Sequence, residues 1–425
     1  MPQEKSLKSK LTMPNNSITH SQLIDQDLIT GQTVVKILDF GQHPYADTFV
    51  AEDQLNLSEP VFPLQVYLNA DSGSIQLGYV SHATDRYNLY SYSYTSSNSD
   101  TARAHWDEYS STVQGPGPWH RSGMAVEIGS NDGYLISKFG TLGRRVLGID
   151  SSSAMCEIAN TNGVPTINAL FDHDVAKQII TQHGPADIVM ANNVFNHAND
   201  PVAFAQAVAT LLADDGLFVF EVPYWLSMIE SGRFTDMVYH EHPSYFTVKS
   251  AWNLLKKSGL EIVDFDVVNY HGGSLRVFAQ RDTGANMPIK VKDAIARETQ
   301  VGLFDADFYV QIQHRFKQLK IEWLSNFYQL LQNDPNAVVI GVGAAAKANT
   351  WLRWHGLDNT VIKYITDASS HKQGKYTPLT RIPIVGDDVF AEFEQPYALI
   401  LSWNIGEGLR RAILNINPST RFLNQ

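Results

Sequence analysis

The run Glu127-Ile128-Gly129-Ser130-Asn131-Asp132-Gly133 decides how this chain is read. It ends a short apolar stretch that opens at Met124 and leads into a helical segment starting near Tyr134. A strand that breaks at glycines before a helix is the turn of an α/β unit. Glycine accepts backbone angles closed to other residues there and lets a ligand approach the main chain. The spacing Gly129-x-x-x-Gly133 departs from the Gly-x-Gly-x-x-Gly pattern that seats a pyrophosphate on a helix N-terminus. At the end of the next apolar run, Gly148-Ile149-Asp150 sets a carboxylate about 20 residues downstream, the position that accepts hydrogen bonds from the ribose hydroxyls of an adenosine. A later strand end, Ala191-Asn192-Asn193, adds polar groups at the same edge.

Alone, the glycine run is equally an ordinary tight turn. With Asp150 and Asn192 it predicts an S-adenosylmethionine (SAM) site. The expected cofactor contacts are Glu127, Gly129, Asn131, Gly133, Asp150 and Asn192, with Asp172, after Leu170-Phe171, as a candidate for the adenine region.

Outward from this loop, strand–helix alternation spans residues 115–285. Strands are expected at 124–128, 145–149, 188–191 and 217–222, helices at 153–160 and 201–212, and completing strands at 261–268 and 275–279. Such alternation implies a parallel sheet covered by helices on both faces. Residues 1–32 are polar and read as a flexible lead-in. Residues 33–114 hold short apolar runs separated by Gly, Pro and Asp, a small β-rich unit, and Gly115-Pro116-Gly117-Pro118 marks the boundary. Residues 286–334 read as a helical connector in which Phe308, Ile312, Phe316, Leu319, Trp323, Phe327 and Leu331 form a packing stripe. A second α/β pattern fills 335–425. The fold class is therefore α/β: a central Rossmann-like class I SAM methyltransferase domain, a β-rich N-terminal domain and a C-terminal Rossmann-like domain.

The 425 residues suffice for about three domains, with 44% hydrophobic and 18% charged residues. Forty-four acidic against 32 basic side chains give a net charge of −12, which argues against a nucleic-acid polymer as substrate. A single cysteine, Cys156, excludes an internal disulfide and any multi-thiolate metal site. No run of about 18 apolar residues and no secretory signal occur, so the chain reads as cytoplasmic and free of the membrane.

Several motifs carry a resemblance. Leu38-Asp39-Phe40-Gly41-Gln42-His43-Pro44-Tyr45-Ala46-Asp47 and Tyr92-Ser93-Tyr94-Thr95-Ser96-Ser97-Asn98-Ser99 lie in the first unit. Asn192-Asn193-Val194-Phe195-Asn196-His197, Glu221-Val222-Pro223-Tyr224, Tyr239-His240-Glu241-His242 and His271-Gly272-Gly273-Ser274-Leu275-Arg276 lie in the middle. Gly341-Val342-Gly343-Ala344-Ala345-Ala346-Lys347-Ala348-Asn349-Thr350 and His371-Lys372-Gln373-Gly374 lie in the last. With these the chain resembles the deoxysugar C-methyltransferases, which act on nucleotide-linked 4-ketosugars.

The resemblance implies SAM-dependent methylation at C3, next to the ketone, with a nucleotide-linked sugar as the binding partner. It assigns proton removal to His242, whose imidazole titrates near working pH, with Tyr239 and Glu241 orienting it or donating to the developing oxyanion. On residue type alone, Tyr239-His240-Glu241-His242 reads first as a surface turn, with acid–base work and then a metal site behind it. Asn193 and His197 follow a strand end and face the reacting centre in such a sheet, although His197 also fits a plain surface histidine. Tyr94 is a candidate sugar contact from the first unit, or a buried structural tyrosine. His271, Ser274 and Arg276 belong to the motifs expected at the substrate. Lys347, Asn349 and Thr350, after Gly341-x-Gly343, resemble a second nucleotide cradle, assisted by His371 and Lys372. The alternative there is a Rossmann-like unit used only for packing.

The chain departs from the family at its usual zinc module. Where two Cys-x-x-Cys pairs are expected stand Asp27-Leu28-Ile29-Thr30 and Asn69-Ala70-Asp71-Ser72, so no zinc and no other metal is predicted. Two alternatives stand beside the ketosugar reading: an O- or N-methyltransferase acting on a non-sugar metabolite, and a SAM-binding scaffold without catalysis.

Overall fold

The computed structural model describes residues 22–81, 97, 99–115, 120–141, 143–232 and 234–423. The central sheet has seven strands in the order Leu260–Val268, Ser274–Arg281, Leu212–Pro223, Ala186–Met190, Ala125–Ile128, Val146–Asp150 and Thr166–Asn168. The last five of these run parallel, and the first two form an antiparallel hairpin against Leu212–Pro223. Ile188, Val189, Met190, Leu217, Phe218, Val219 and Phe220 are wholly buried, as strands covered on both faces require. From Ala125–Ile128 the chain steps outward twice, then returns to place Ala186–Met190 on the other side. That reversal opens a crevice at the strands' carboxyl ends, where ligands of open α/β sheets sit.

The N-terminal sheet is antiparallel, in the order Ser244–Tyr245, Ser74–Leu77, Phe62–Asn69 and Val35–His43. Its edge strand Ser244–Tyr245 comes from the middle of the chain and begins two residues after His242. The first unit therefore fixes the Tyr239-His240-Glu241-His242 turn through backbone pairing. Leu38, Leu64, Val66 and Ile75 share one continuous apolar core with Val222, Val248 and Leu254. The flexible lead-in expected through residue 32 is corrected from Gln22 onward: Gln22–Leu23 pairs with Tyr79–Val80, and Asp27 and Ile29 are buried.

The C-terminal unit is a five-stranded parallel sheet in the order Ile384–Val385, Tyr364–Thr366, Val339–Val342, Tyr397–Ile400 and Arg421–Leu423. Its order also reverses, beside Val339–Val342, which gives it a crevice of its own. The connector is two helices, Ile289–Val301 and Ala306–Asn333, broken where Gly302 takes a left-handed φ of +97°. Along the second helix Phe308, Ile312 and Phe316 pack on the central core, while Trp323, Phe327 and Leu331 pack on the C-terminal core. Leu319, between the two groups, is 44% exposed, so the stripe is two packing patches on one helix. Among the described residues no helix is long and apolar enough to cross a membrane.

Candidate active site

The glycine loop at the end of Ala125–Ile128 has a conformation only its sequence permits. Gly129 has φ +70°, and a Cβ there would lie 2.2 Å from Val194 Cγ2. Gly133, also left-handed at +79°, caps the helix Tyr134–Gly140. Asp150 holds this loop: its Oδ2 accepts from the Asn131 N–H and its Oδ1 from the Ser152 N–H, both at 2.8 Å. Burial raises the Asp150 pKa above the ordinary carboxylate value, against the pull of these two hydrogen bonds. Each oxygen keeps a second lone-pair direction, which leaves capacity for ribose hydroxyls. Glu127 is buried, with burial raising its pKa well above normal, and among the described residues its Oε2 has no hydrogen-bond partner. Asn192 accepts from the Glu221 N–H at 3.0 Å, and Asn193, at φ +52°, donates to the Glu221 carbonyl at 2.7 Å. Asp172 caps the helix His173–His183 through the Val175 N–H at 2.9 Å. A tight glycine cradle beside acceptor carboxylates suits the adenosine and cationic sulfonium of SAM. When bound, that group supplies an electrophilic methyl.

Glu127, Gly129, Asn131, Asp150, Asp172, Asn192 and Asn193 line a cavity of about 670 Å³, within the roughly 300–1,000 Å³ of small-molecule sites. Gly133 shapes the loop from behind and does not line it. The same cavity reaches all three units: Asp47 from the first, Tyr239, Glu241, His242 and His271 from the second, and Lys347 and Lys372 from the third.

The Tyr239-His240-Glu241-His242 turn sends its side chains to different ends. His240 is fully buried against the N-terminal sheet, its Nε2 3.3 Å from the Pro63 carbonyl, and burial drives its pKa down to about 4. Glu241 Oε1 accepts from the N–H groups of Ala46 at 2.9 Å and Asp47 at 3.2 Å, so it ties the turn to the first unit. His242 faces the cavity, its ring 4.1 Å from that of Tyr239 and 4.7 Å from that of His197, the latter perpendicular. His197, on the single turn Phe195–His197, also lines the cavity. Across the cavity, burial and then the Lys347 charge hold His271 neutral, with its pKa lowered to about 3. Lys347 Nζ donates to Asn404 Oδ1 at 2.5 Å and lies 5.0 Å from the Trp403 ring centre. Lys372 Nζ donates to the Ala344 carbonyl at 2.8 Å and to Asp367 at 3.4 Å.

Five expected substrate residues lie elsewhere. Ser274 is buried and donates to the Tyr270 carbonyl. Arg276 is buried between Glu221, at 2.5 Å, and Glu108, at 3.1 and 2.7 Å, in an ion-pair cluster that His105 joins at 2.7 Å from Glu221. Asn349 Nδ2 donates to the Ala46 carbonyl at 2.6 Å, Thr350 is buried behind it, and His371 is exposed. Tyr94 falls outside the described residues. Among the cavity-lining residues that sequence reading passed over is Asp47, whose only mark was its place at the end of the motif 38–47.

At the positions where the resemblance led us to expect zinc cysteines stands a hydrogen-bonded polar cluster. Asp27 accepts from the Thr30 hydroxyl at 2.6 Å, and Asn69 accepts from the Ser72 N–H at 2.9 Å. Gln76 joins the two loops, accepting from the Leu28 N–H at 2.8 Å and donating to the Gln26 carbonyl at 2.9 Å. Asp27 is the one carboxylate among these four positions, and its oxygens already accept from Ile29 and Thr30; the amide and hydroxyl groups of Thr30, Asn69 and Ser72 do not fit zinc, which takes thiolate, imidazole or carboxylate ligands.

The family model described as "Methyltransferase domain" matches residues 113–264, and "C-methyltransferase C-terminal domain" matches 269–419. The C-methyltransferase NovU of Streptomyces niveus is 30% identical over 370 residues, covering 87% of each chain. The chain belongs to the C-methyltransferase family. This SAM-dependent C-methyltransferase is also similar, at 24% identity over 172 residues, to a ubiquinone biosynthesis O-methyltransferase of Cupriavidus pinatubonensis, a match that covers 38% of this chain and 69% of that one. A solved structure, the magnesium protoporphyrin IX methyltransferase of Synechocystis with bound SAH, covers 42% of this chain and 83% of its own at 16% identity and a TM-score of 0.34.

Proposed function

We propose that this enzyme methylates C3, next to the ketone of a nucleotide-linked 4-keto-deoxysugar, with His242 as the base. The observation that carries the reading is one cavity lined by residues of both α/β units: Asp150 and Asp172 beside the glycine loop, His242 from the Tyr239–His242 turn, and Lys347 and Lys372 from the last unit. The carboxylates beside the glycine loop suit a cationic methyl donor. Lys347, in the first turn of the helix Ala346–His355, and Lys372, whose Nζ donates to the Ala344 carbonyl just before that helix, suit a diphosphate.

In this reading the imidazole of His242 takes the proton from C3, and the electron pair left behind spreads onto the ketone oxygen. Tyr239, its ring 4.1 Å from that of His242 and tilted by 39° to it, donates to that oxygen in this reading. His197 packs edge-on against His242 and restricts its orientation. The enolate carbon takes the methyl as that methyl's bond to the sulfonium sulfur breaks, which would leave S-adenosylhomocysteine, and the proton on His242 passes to solvent. Holding both reactants in one cavity supplies much of the acceleration. The test is incubation with SAM and a panel of nucleotide-linked 4-ketosugars, with mass spectrometry of the products. A single methyl gain on carbon is expected. Transfer to a hydroxyl or amine, with none to carbon, contradicts the proposal.

A further inference from the structure

The segment Ala46-Asp47 is held by both other units. Glu241, one residue before the proposed base, accepts from the N–H groups of Ala46 and Asp47. Asn349, on the first turns of the C-terminal helix Ala346–His355, donates to the Ala46 carbonyl at 2.6 Å. Backbone fixed on both sides leaves the Asp47 side chain little choice of direction, and it lines the shared cavity. Among the described residues no hydrogen bond reaches its carboxylate, although the charges of Lys372, Lys375 and Asp367 act on it. Asp47 is half-buried in the cavity wall, and a carboxylate partly withdrawn from water without a donor is placed to accept one from a ligand.

We propose that Asp47 is a substrate-binding residue that accepts a hydrogen bond from a hydroxyl or amino group on the sugar ring. The inference rests on the ketosugar reading above. It adds a residue from the first unit that sets which ring substituents the enzyme accepts. Burial raises the Asp47 pKa to about 6 against the pull of Lys372, as expected of a carboxyl whose charged form lacks a donor until substrate arrives. The Lys372 ammonium and Asp367 carboxylate already bind each other and the Ala344 main chain, so they hold one wall of the cavity while Asp47 stays open to the ligand. The backbone link through Glu241 gives the contact a second consequence, because the sugar is registered against His242 by the same segment that reads its substituent.

The experiment uses the full chain as wild type, Asp47→Asn and Asp47→Ala, with SAM and three probes. These are thymidine diphosphate 4-keto-6-deoxyglucose, its 2-deoxy analogue and its 3-amino-3-deoxy analogue. Melting curves and SAM titration first establish that each variant folds and binds the donor as wild type does. Both substitutions should then raise KM for the parent compound by about tenfold or more, the range for a lost charge-assisted hydrogen bond, with kcat much less affected. The penalty should vanish for the 2-deoxy compound where the 2-hydroxyl is the group read, and should differ from the parent's on the 3-amino compound where the C3 substituent is. An equal penalty on all three compounds, a loss confined to kcat, or unchanged KM in both variants overturns the role of Asp47. Wild-type enzyme that neither binds nor methylates any of the three defeats the ketosugar reading, and this inference with it.

Discussion

Gly129→Ala tests the cofactor loop most sharply, because two separate costs can be read from the geometry. The residue has φ +70°, where a Cβ costs about 1–2 kcal/mol in the left-handed region. The added methyl would also stand 2.2 Å from Val194 Cγ2 and 3.3 Å from Val194 Cβ. Valine has little χ1 freedom, so relief needs a main-chain shift, and overpacking of this kind costs about 1–3 kcal/mol. The two together predict about 2–5 kcal/mol less stability, shared between unfolding and SAM affinity because the strain sits in the binding loop. Val194→Ala in the same chain removes the second cost and leaves the first. Calorimetry of unfolding and of SAM binding across wild type, both single variants and the double variant should give a favourable coupling of about 1–3 kcal/mol. Strict additivity, or a Gly129→Ala protein that melts and binds SAM as wild type does, would refute the reasoning.

Glu298, wholly buried, caps the helix Val248–Lys257 through the Val248 and Lys249 N–H groups, and burial raises its pKa to about 7 from 4.5. Its folded pKa lies above its unfolded one, so the stability it contributes is full below about pH 4.5 and is lost as pH rises through about 7, a swing on the order of 3 kcal/mol. Urea unfolding from about pH 4 to 8 should show that decline in wild type and a flatter profile in Glu298→Gln. Arg276→Met, which strands Glu221 in the core, should lower unfolding free energy by about 3–5 kcal/mol, yet change KM for the nucleotide sugar less than about twofold. A large KM effect in a folded Arg276→Met protein would return Arg276 to the substrate site. Gln76→Ala should cost about 1–3 kcal/mol by opening the polar cluster at the zinc-like positions, while a strong chelator leaves melting temperature and turnover unchanged. Stoichiometric zinc by elemental analysis would contradict that account.

Local pattern made the central sheet legible. The runs around Ile188 and Leu217 are apolar on both faces, and the glycine loop announces the ligand-bearing edge. The strands missed, Gln22–Leu23, Tyr79–Val80, Thr166–Asn168, Ser244–Tyr245, Ile384–Val385 and Arg421–Leu423, are two or three residues long, too short for any period to register. The residues lining the glycine-loop part of the cavity were readable because one loop and two strand ends carry them. The substrate side was less so, because its partners are far apart in sequence. Arg276 looks like a ligand residue until Glu108, 168 positions away, is seen to bind it. Asn349 likewise serves the Ala46 carbonyl across 303 positions. Asp47 carries no local sign of function, since its place in the cavity is set by Glu241 and Asn349 from two other parts of the chain.

The central claim is that His242 removes the proton from the carbon that is methylated. The direct measurement is solvent deuterium exchange at C3 of a nucleotide-linked 4-ketosugar, followed by NMR or mass spectrometry without SAM, for wild type and His242→Gln. Wild type should wash deuterium into C3, and the variant, folded and still binding SAM, should not. Exchange in His242→Gln at the wild-type rate would contradict the account.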